Sequence, residues 1–238
     1  MTIITISRQF GSGGDEIANR LSALLNYPCF DKSMVAKAAQ EAGLSEQEII
    51  DYSEDSHKVR TFFDRLFNRP LPVASVRVWR ESLDGVRTNE EYELSENSAV
   101  ALMQKAIQMA YQEGNMIIVG RGGQALLKGR PDVLHLRIIA PLEDRIQHLK
   151  EQLKESRQIY QADLELRRLA QDQIIERDNI SADYLKRFYH IDWDDPSYYH
   201  LIINTGMLSI EQAAEMIAAL VRQFHPQTET NNELLVNT

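Results

Sequence analysis

The sequence predicts an α/β fold, a parallel sheet covered by helices on both faces. The 238-residue chain opens directly on a β-branched, uncharged run, Met1-Thr-Ile-Ile-Thr-Ile6, the pattern of a buried strand. Three later apolar runs, at 116–120, 133–140 and 200–205, read as further core strands, and 27–31 is a shorter candidate. A helical pattern follows each run, and this strand–helix alternation separates a parallel sheet from a meander of hairpins.

The elements can be justified in order. After the first strand comes a glycine-rich turn, Ser7-Arg-Gln-Phe-Gly-Ser-Gly-Gly14. Ile17, Ala18, Leu21, Leu24 and Leu25 then fall on one helical face. Two long stretches interrupt the alternation. Residues 44–97 open with a capping box, Ser45 to Glu48, and a hydrophobic staple, Leu44 with Ile49. They continue as a helical pattern to Phe67, where Asn68-Arg-Pro-Leu-Pro72 breaks it. Residues 151–195 are polar, helical and arginine-rich, and end in Trp193-Asp-Asp-Pro-Ser-Tyr-Tyr199. Both stretches are far longer than the ~2–6 residues of an ordinary βα loop, so they read as helical inserts over one end of the sheet. The last helix is announced by a second capping box, Ser209 with Gln212. Its apolar stripe is Ile210, Ala213, Ile217, Leu220 and Phe224. Residues 225–238 read as a tail.

Composition narrows the function classes. With 43% apolar and 26% charged residues the chain is ordinary globular material. The 26 Lys and Arg against 35 Asp and Glu leave a net charge of −9, which provides no general electrostatic footprint for nucleic acid or an anionic membrane. The single Cys29 excludes an internal disulfide, and no apolar run reaches the ~20 residues of a membrane span. No leader pattern precedes the first strand, so a cytoplasmic protein is expected. The six histidines show no metal-ligand spacing, and no metal site is expected from side chains alone.

The glycine-rich turn is the first chemical signal. A loop of this kind between a strand and a helix lets backbone N–H groups converge on a phosphate, helped by the positive end of the helix. The usual pattern is G-x-x-x-x-G-K followed by Ser or Thr. Aligning on Gly11-Ser12-Gly13 puts Arg8 at the first glycine, Gly14 at the lysine and Asp15 at the hydroxyl position. A plain tight turn is the alternative at this point.

Several segments together resemble the cytidylate kinase-like family: Ile4-Thr-Ile-Ser-Arg-Gln-Phe-Gly-Ser-Gly-Gly14, Val119-Gly-Arg-Gly122, Pro131-Asp-Val-Leu-His135, Ala140-Pro-Leu-Glu-Asp-Arg145, and Trp193-x-Asp-Pro-Ser-Tyr198 through Ile203-Asn-Thr205. The resemblance implies a P-loop nucleoside monophosphate kinase fold. That fold has three α/β/α layers, a five-stranded parallel sheet, and helical acceptor-binding and lid inserts. It maps one domain onto residues 1–224, with core 1–43, 98–150 and 196–224, acceptor insert 44–97 and lid 151–195.

The implied activity is Mg²⁺-dependent transfer of the γ-phosphoryl of ATP to CMP or a related small nucleotide, with no nucleic-acid or membrane partner. The implied donor-phosphate residues are Arg8, Gly11, Ser12, Gly13, Gly14 and Asp15, with Arg8 standing in for the missing lysine. Arg121 and Asp31 would face the acceptor, and Arg121 would also serve catalysis. Arg177 would clamp the migrating phosphoryl, with Lys186 or Arg187 as a second lid cation. Three departures from the family pattern weigh the other way: Asp15 where an arginine is usual, Gly122 where the pattern has aspartate, and a lid less basic after Asp178. They keep two other readings open, a nucleotide-binding or sensing protein without transfer activity and a kinase of a non-nucleotide metabolite. Each residue also has a plainer role. Asp31 would cap a helix starting near Lys32, Arg177 would pair with Asp172 or Glu176, Lys186 and Arg187 would be surface charges, and Trp193, Tyr198 and Tyr199 would pack the insert.

Overall fold

The computed structural model describes residues 1–41, 75–81, 87–93, 96–157 and 163–224. In chain order the elements are β1 (Ile3–Arg8), α1 (Gly14–Leu25), α2 (Lys32–Glu41), β2 (Ser75–Glu81), β3 (Arg87–Glu93), α3 (Glu96–Glu113), β4 (Met116–Val119), α4 (Gly123–Leu126), β5 (Val133–Ile139), α5 (Leu142–Arg157), α6 (Asp163–Tyr189), β6 (Leu201–Asn204) and α7 (Ile210–Gln223). They fall into two compact units. One comprises Met1–Cys29, Glu113–Ile174 and Asp194–Thr238, and the other Phe30–Gln112 and Ile175–Trp193.

The first unit holds a parallel sheet in the order β4-β1-β5-β6. Register is set by pairs such as Ile6↔Val119, Ile6↔Leu136 and Ile138↔Ile203. Strand alternation sends Ile4, Ile6, Leu134, Leu136 and Ile138 to one face, where α1 and α7 cover them with Ile17, Leu21, Ala214 and Ile217. The opposite face is more polar. Thr5 and His135 are bonded there at 2.7 Å, and buried Arg137 reaches Asp194 and the Tyr199 hydroxyl. Asp194 and Tyr199 thus act as polar anchors on this face. The capping box predicted at Ser209 and Gln212 is present, and both of its bonds form.

Two expectations are corrected. The sheet has four strands among the described residues, not five, because 27–31 contributes a single bridge, Cys29↔Ile117, beside β4. Pro28 accepts from the Ile117 N–H but has no N–H to return, so the ladder cannot extend through it. The insert read as helical contains an antiparallel pair, β2 with β3, in register Ser75↔Glu93 to Glu81↔Arg87. The alternation Val76-Arg-Val78 is the local sequence pattern of its first strand. The capping box, staple and break predicted between residues 44 and 72, and the tail 225–238, lie outside the described residues.

Candidate functional site

In a parallel sheet all strand ends that carry ligand-binding loops lie along one edge, and the crevice forms where the chain reverses direction across the sheet. Here the chain leaves β1 toward Cys29 and β4, then crosses back to β5 and β6, so the reversal falls at the carboxyl end of β1. The glycine-rich turn occupies that point.

The turn is tied down through its carbonyls. The Gln9 carbonyl accepts from the Ser12 hydroxyl at 2.8 Å, and the Phe10 carbonyl from the Arg145 guanidinium at 3.2 Å. Thr205 donates its hydroxyl to the Ser12 carbonyl at 2.8 Å, and the Gly13 carbonyl takes the Ile17 N–H at 3.0 Å. Because a trans peptide points its N–H opposite to its C=O, fastening these four carbonyls into the protein aims the N–H groups of Phe10, Gly11, Gly13 and Gly14 the other way. That is the arrangement of an anion-binding loop. Gly11 and Gly13 have φ of +80° and +78°, a region side chains rarely enter.

α5 and α1 are clasped beside the turn. His148 Nε2 lies 3.3 Å from Glu16, and Gln152 bonds the same carboxylate at 2.7 Å. The bond from Glu16 raises the His148 imidazole above its ordinary value, and the same bond lowers Glu16.

At the end of the adjacent strand β4, Gly120, Arg121 and Gly122 have φ of +68°, +58° and +74°. Three successive left-handed residues make a sharp turn before α4. For Arg121 this conformation costs about 1 kcal/mol, strain of the kind held at functional sites. The same geometry gives a physical reason for glycine rather than aspartate at 122. Arg8 leaves the end of β1 toward this turn. Its Nη1 lies 2.7 Å from where a Cβ on Gly120 would stand, and its Nε bonds Asp15 at 3.3 Å. The charge opposing a phosphate at position 15 is therefore already paired with a cation in the same loop.

The sequence-predicted site residues divide between the two units. Arg8, Gly11, Ser12, Gly13, Gly14, Asp15 and Arg121 come together at one sheet edge. Asp31, Arg177, Lys186 and Arg187 belong to the second unit. There Asp31 caps the start of α2, accepting from the Ser33 N–H at 2.8 Å and its hydroxyl at 2.6 Å. Lys186 and Arg187 occupy the last turn of α6, where cations favour the helix dipole, and Arg187 lies over the Phe188 ring. Thr205, Arg145 and His148 support the turn but were not singled out from sequence. Each sits more than 130 residues from the loop it holds, at a spacing no local motif encodes.

With this geometry in view, residues 3–207 match the cytidylate kinase-like family. The chain belongs to that family. Among solved structures, an uncharacterized protein from Eubacterium ventriosum shares the fold at 17% identity, with a TM-score of 0.58 over 93% of this chain and 99% of its own. Shikimate kinase from Acinetobacter baumannii in complex with shikimate aligns at 13% identity and a TM-score of 0.44, covering 94% of each chain. Shikimate kinase from Bacteroides thetaiotaomicron aligns at 13% and 0.45, over 93% and 98%. No curated protein matches the chain.

Proposed function

We propose that this protein is a nucleotide-dependent phosphotransferase, taking ATP with Mg²⁺ as donor and CMP or a related small nucleotide as acceptor. The observation that carries the reading is the turn itself. Its carbonyls are fastened inward and the amides of Phe10, Gly11, Gly13 and Gly14 face outward, and Arg8 and Arg121 lie at the ends of neighbouring strands. Phosphoryl transfer asks the protein mainly for in-line positioning and for positive charge around the migrating group, and the amides and arginines of this edge would supply that charge.

The donor phosphates fit the amides of Phe10, Gly11, Gly13 and Gly14 together with Arg8, and Arg121 suits the acceptor phosphate, while the Ser12 N–H stays on the Gln9 carbonyl at 3.2 Å. For the metal, no group of three His, Cys, Asp or Glu gathers among the described residues. Mg²⁺ would enter on the nucleotide's own phosphates, as it does where few protein ligands are used. When bound, the ion would neutralise charge on the β- and γ-phosphate oxygens. Arg177 and Arg187 are proposed as lid cations and Asp31 as an acceptor contact. No helix among the described residues is long and apolar enough to cross a membrane, and a small-molecule acceptor suits the acidic net charge.

One observation favours a second reading, a nucleotide-binding protein without transfer: Asp15 engages the loop's own arginine. Calorimetric titration with a non-hydrolysable ATP analogue plus Mg²⁺, followed by coupled ADP-release assays over a panel of nucleoside monophosphates, separates the two. Turnover with CMP or another monophosphate supports the kinase. Analogue binding with no turnover on any acceptor supports the second reading, and no binding refutes both.

A further inference from the structure

Arg8 and Gly14 exclude one another's alternatives. A Cβ built on Gly14 would stand 2.5 Å from the Arg8 Cβ and 2.7 Å from its Cγ. Those atoms are the root of the arginine side chain, close to the β1 backbone, and cannot swing aside as a flexible tip would. No side chain, and certainly not a lysine, fits at position 14 while Arg8 is present. Further along, Arg8 Nη1 lies where a Cβ on Gly120 would come within 2.7 Å. The stem thus runs under the first turn of α1 and delivers its charge toward the β4 turn, with about one third of the side chain exposed.

We infer that Arg8 and Gly14 are a reciprocal exchange of the usual glycine and lysine of the phosphate loop: the cation has moved from the first turn of the helix to the end of the strand, and Asp15 is its counter-ion. This rests on the phosphotransferase reading and deepens it. Arg8 spans the gap between the donor loop and the Arg121 turn, so it binds the phosphate at the junction of the two. The guanidinium adds a planar, multi-donor contact that a lysine lacks. The Asp15 bond is long at 3.3 Å and more than half exposed on the acid side. A polyphosphate therefore displaces the carboxylate from Arg8 at little cost.

The test uses the full chain, with inorganic tripolyphosphate and a non-hydrolysable ATP analogue as separate probes in calorimetry, and a thermal melt of every variant. R8A is expected to weaken both probes about 10- to 100-fold, the range for losing a charge-assisted contact. G14A is expected to lower the melting temperature, and R8G/G14A to recover it. R8G/G14K is expected to bind within about tenfold of wild type, and D15N a few-fold tighter.

Equal binding by R8A and wild type overturns the inference, as does an R8G/G14K variant that binds no better than R8G. Weaker binding by D15N overturns the counter-ion role. R8K keeps the stem against Gly14, so weak binding by a well-folded R8K still supports the guanidinium if R8G fails to fold. Wild type that binds neither probe refutes the phosphotransferase reading itself, whereas binding insensitive to Arg8 refutes only the exchange.

Discussion

His135 should make the sheet unit acid-sensitive well above the carboxylate range. The side chain is 4% exposed on β5, its Nδ1 lies 2.7 Å from the Thr5 hydroxyl, and its ring stacks on His200 at 5.2 Å. Burial, then the neighbouring His200, lower its pKa from 6.5 to about 4. In the unfolded chain the imidazole takes a proton near 6.5, so between pH 6.5 and 4 the unfolded state binds more protons than the folded one. Stability therefore falls as pH falls through that window. The full gap is worth about 3 kcal/mol and about 2 kcal/mol of it is lost by pH 5.

His200, lowered chiefly by burial, adds in the same direction. His148 works oppositely. Its raised value contributes stability below 6.5 that is lost as pH rises through it, but the group is partly exposed and the effect is small. Glu16, Glu143 and Asp163 are all lowered, so their contributions are lost only at more acidic pH. Urea unfolding at pH 7 and pH 5 checks this on wild type and His135→Gln, which keeps a polar partner for Thr5 and cannot titrate. Wild type should lose about 2 kcal/mol more than the variant over that interval. Equal losses would refute the reasoning, because they would mean the ring is charged or hydrated where the structure buries it.

Two further outcomes test the candidate site. Thr205→Val removes the hydroxyl that holds the Ser12 carbonyl at 2.8 Å. It should destabilise the protein by about 1 kcal/mol and weaken ATP-analogue binding several-fold, read by thermal melts and calorimetry. Arg121→Gly relieves the φ of +58° and should stabilise the protein by about 1 kcal/mol while lowering kcat/KM for the monophosphate at least 100-fold. A stabilised variant with full activity would remove Arg121 from the site.

Local order is legible in the sequence. Apolar runs at 116–120, 133–140 and 200–205 became β4, β5 and β6 with trimmed ends, and β1 slid two residues toward Arg8. Ser209 and Gln212 marked a helix start because a capping box satisfies orphan amides within four residues of each other. The glycine loop was legible for the same reason, since positive φ leaves a trace at the residue that adopts it. The hairpin β2–β3 departs from the helical reading of the insert although the alternation Val76-Arg-Val78 is local, because the apolar spacing before it has the helical period.

The sequence by itself determined the four core strands with their following helices, the glycine-rich turn after β1 and the family, because these rest on contacts between near neighbours and on residue types. Only the tertiary structure decided that Gly14 is glycine because Arg8 fills its space, and that Thr205 and Arg145 turn the loop's carbonyls away from the mouth. It also decided that Pro28 stops a fifth strand at one bridge. The physical reason is range: steric exclusion between two side chains and hydrogen bonds across 130 or more residues depend on where folding brings the chain back. Composition and spacing do not record that.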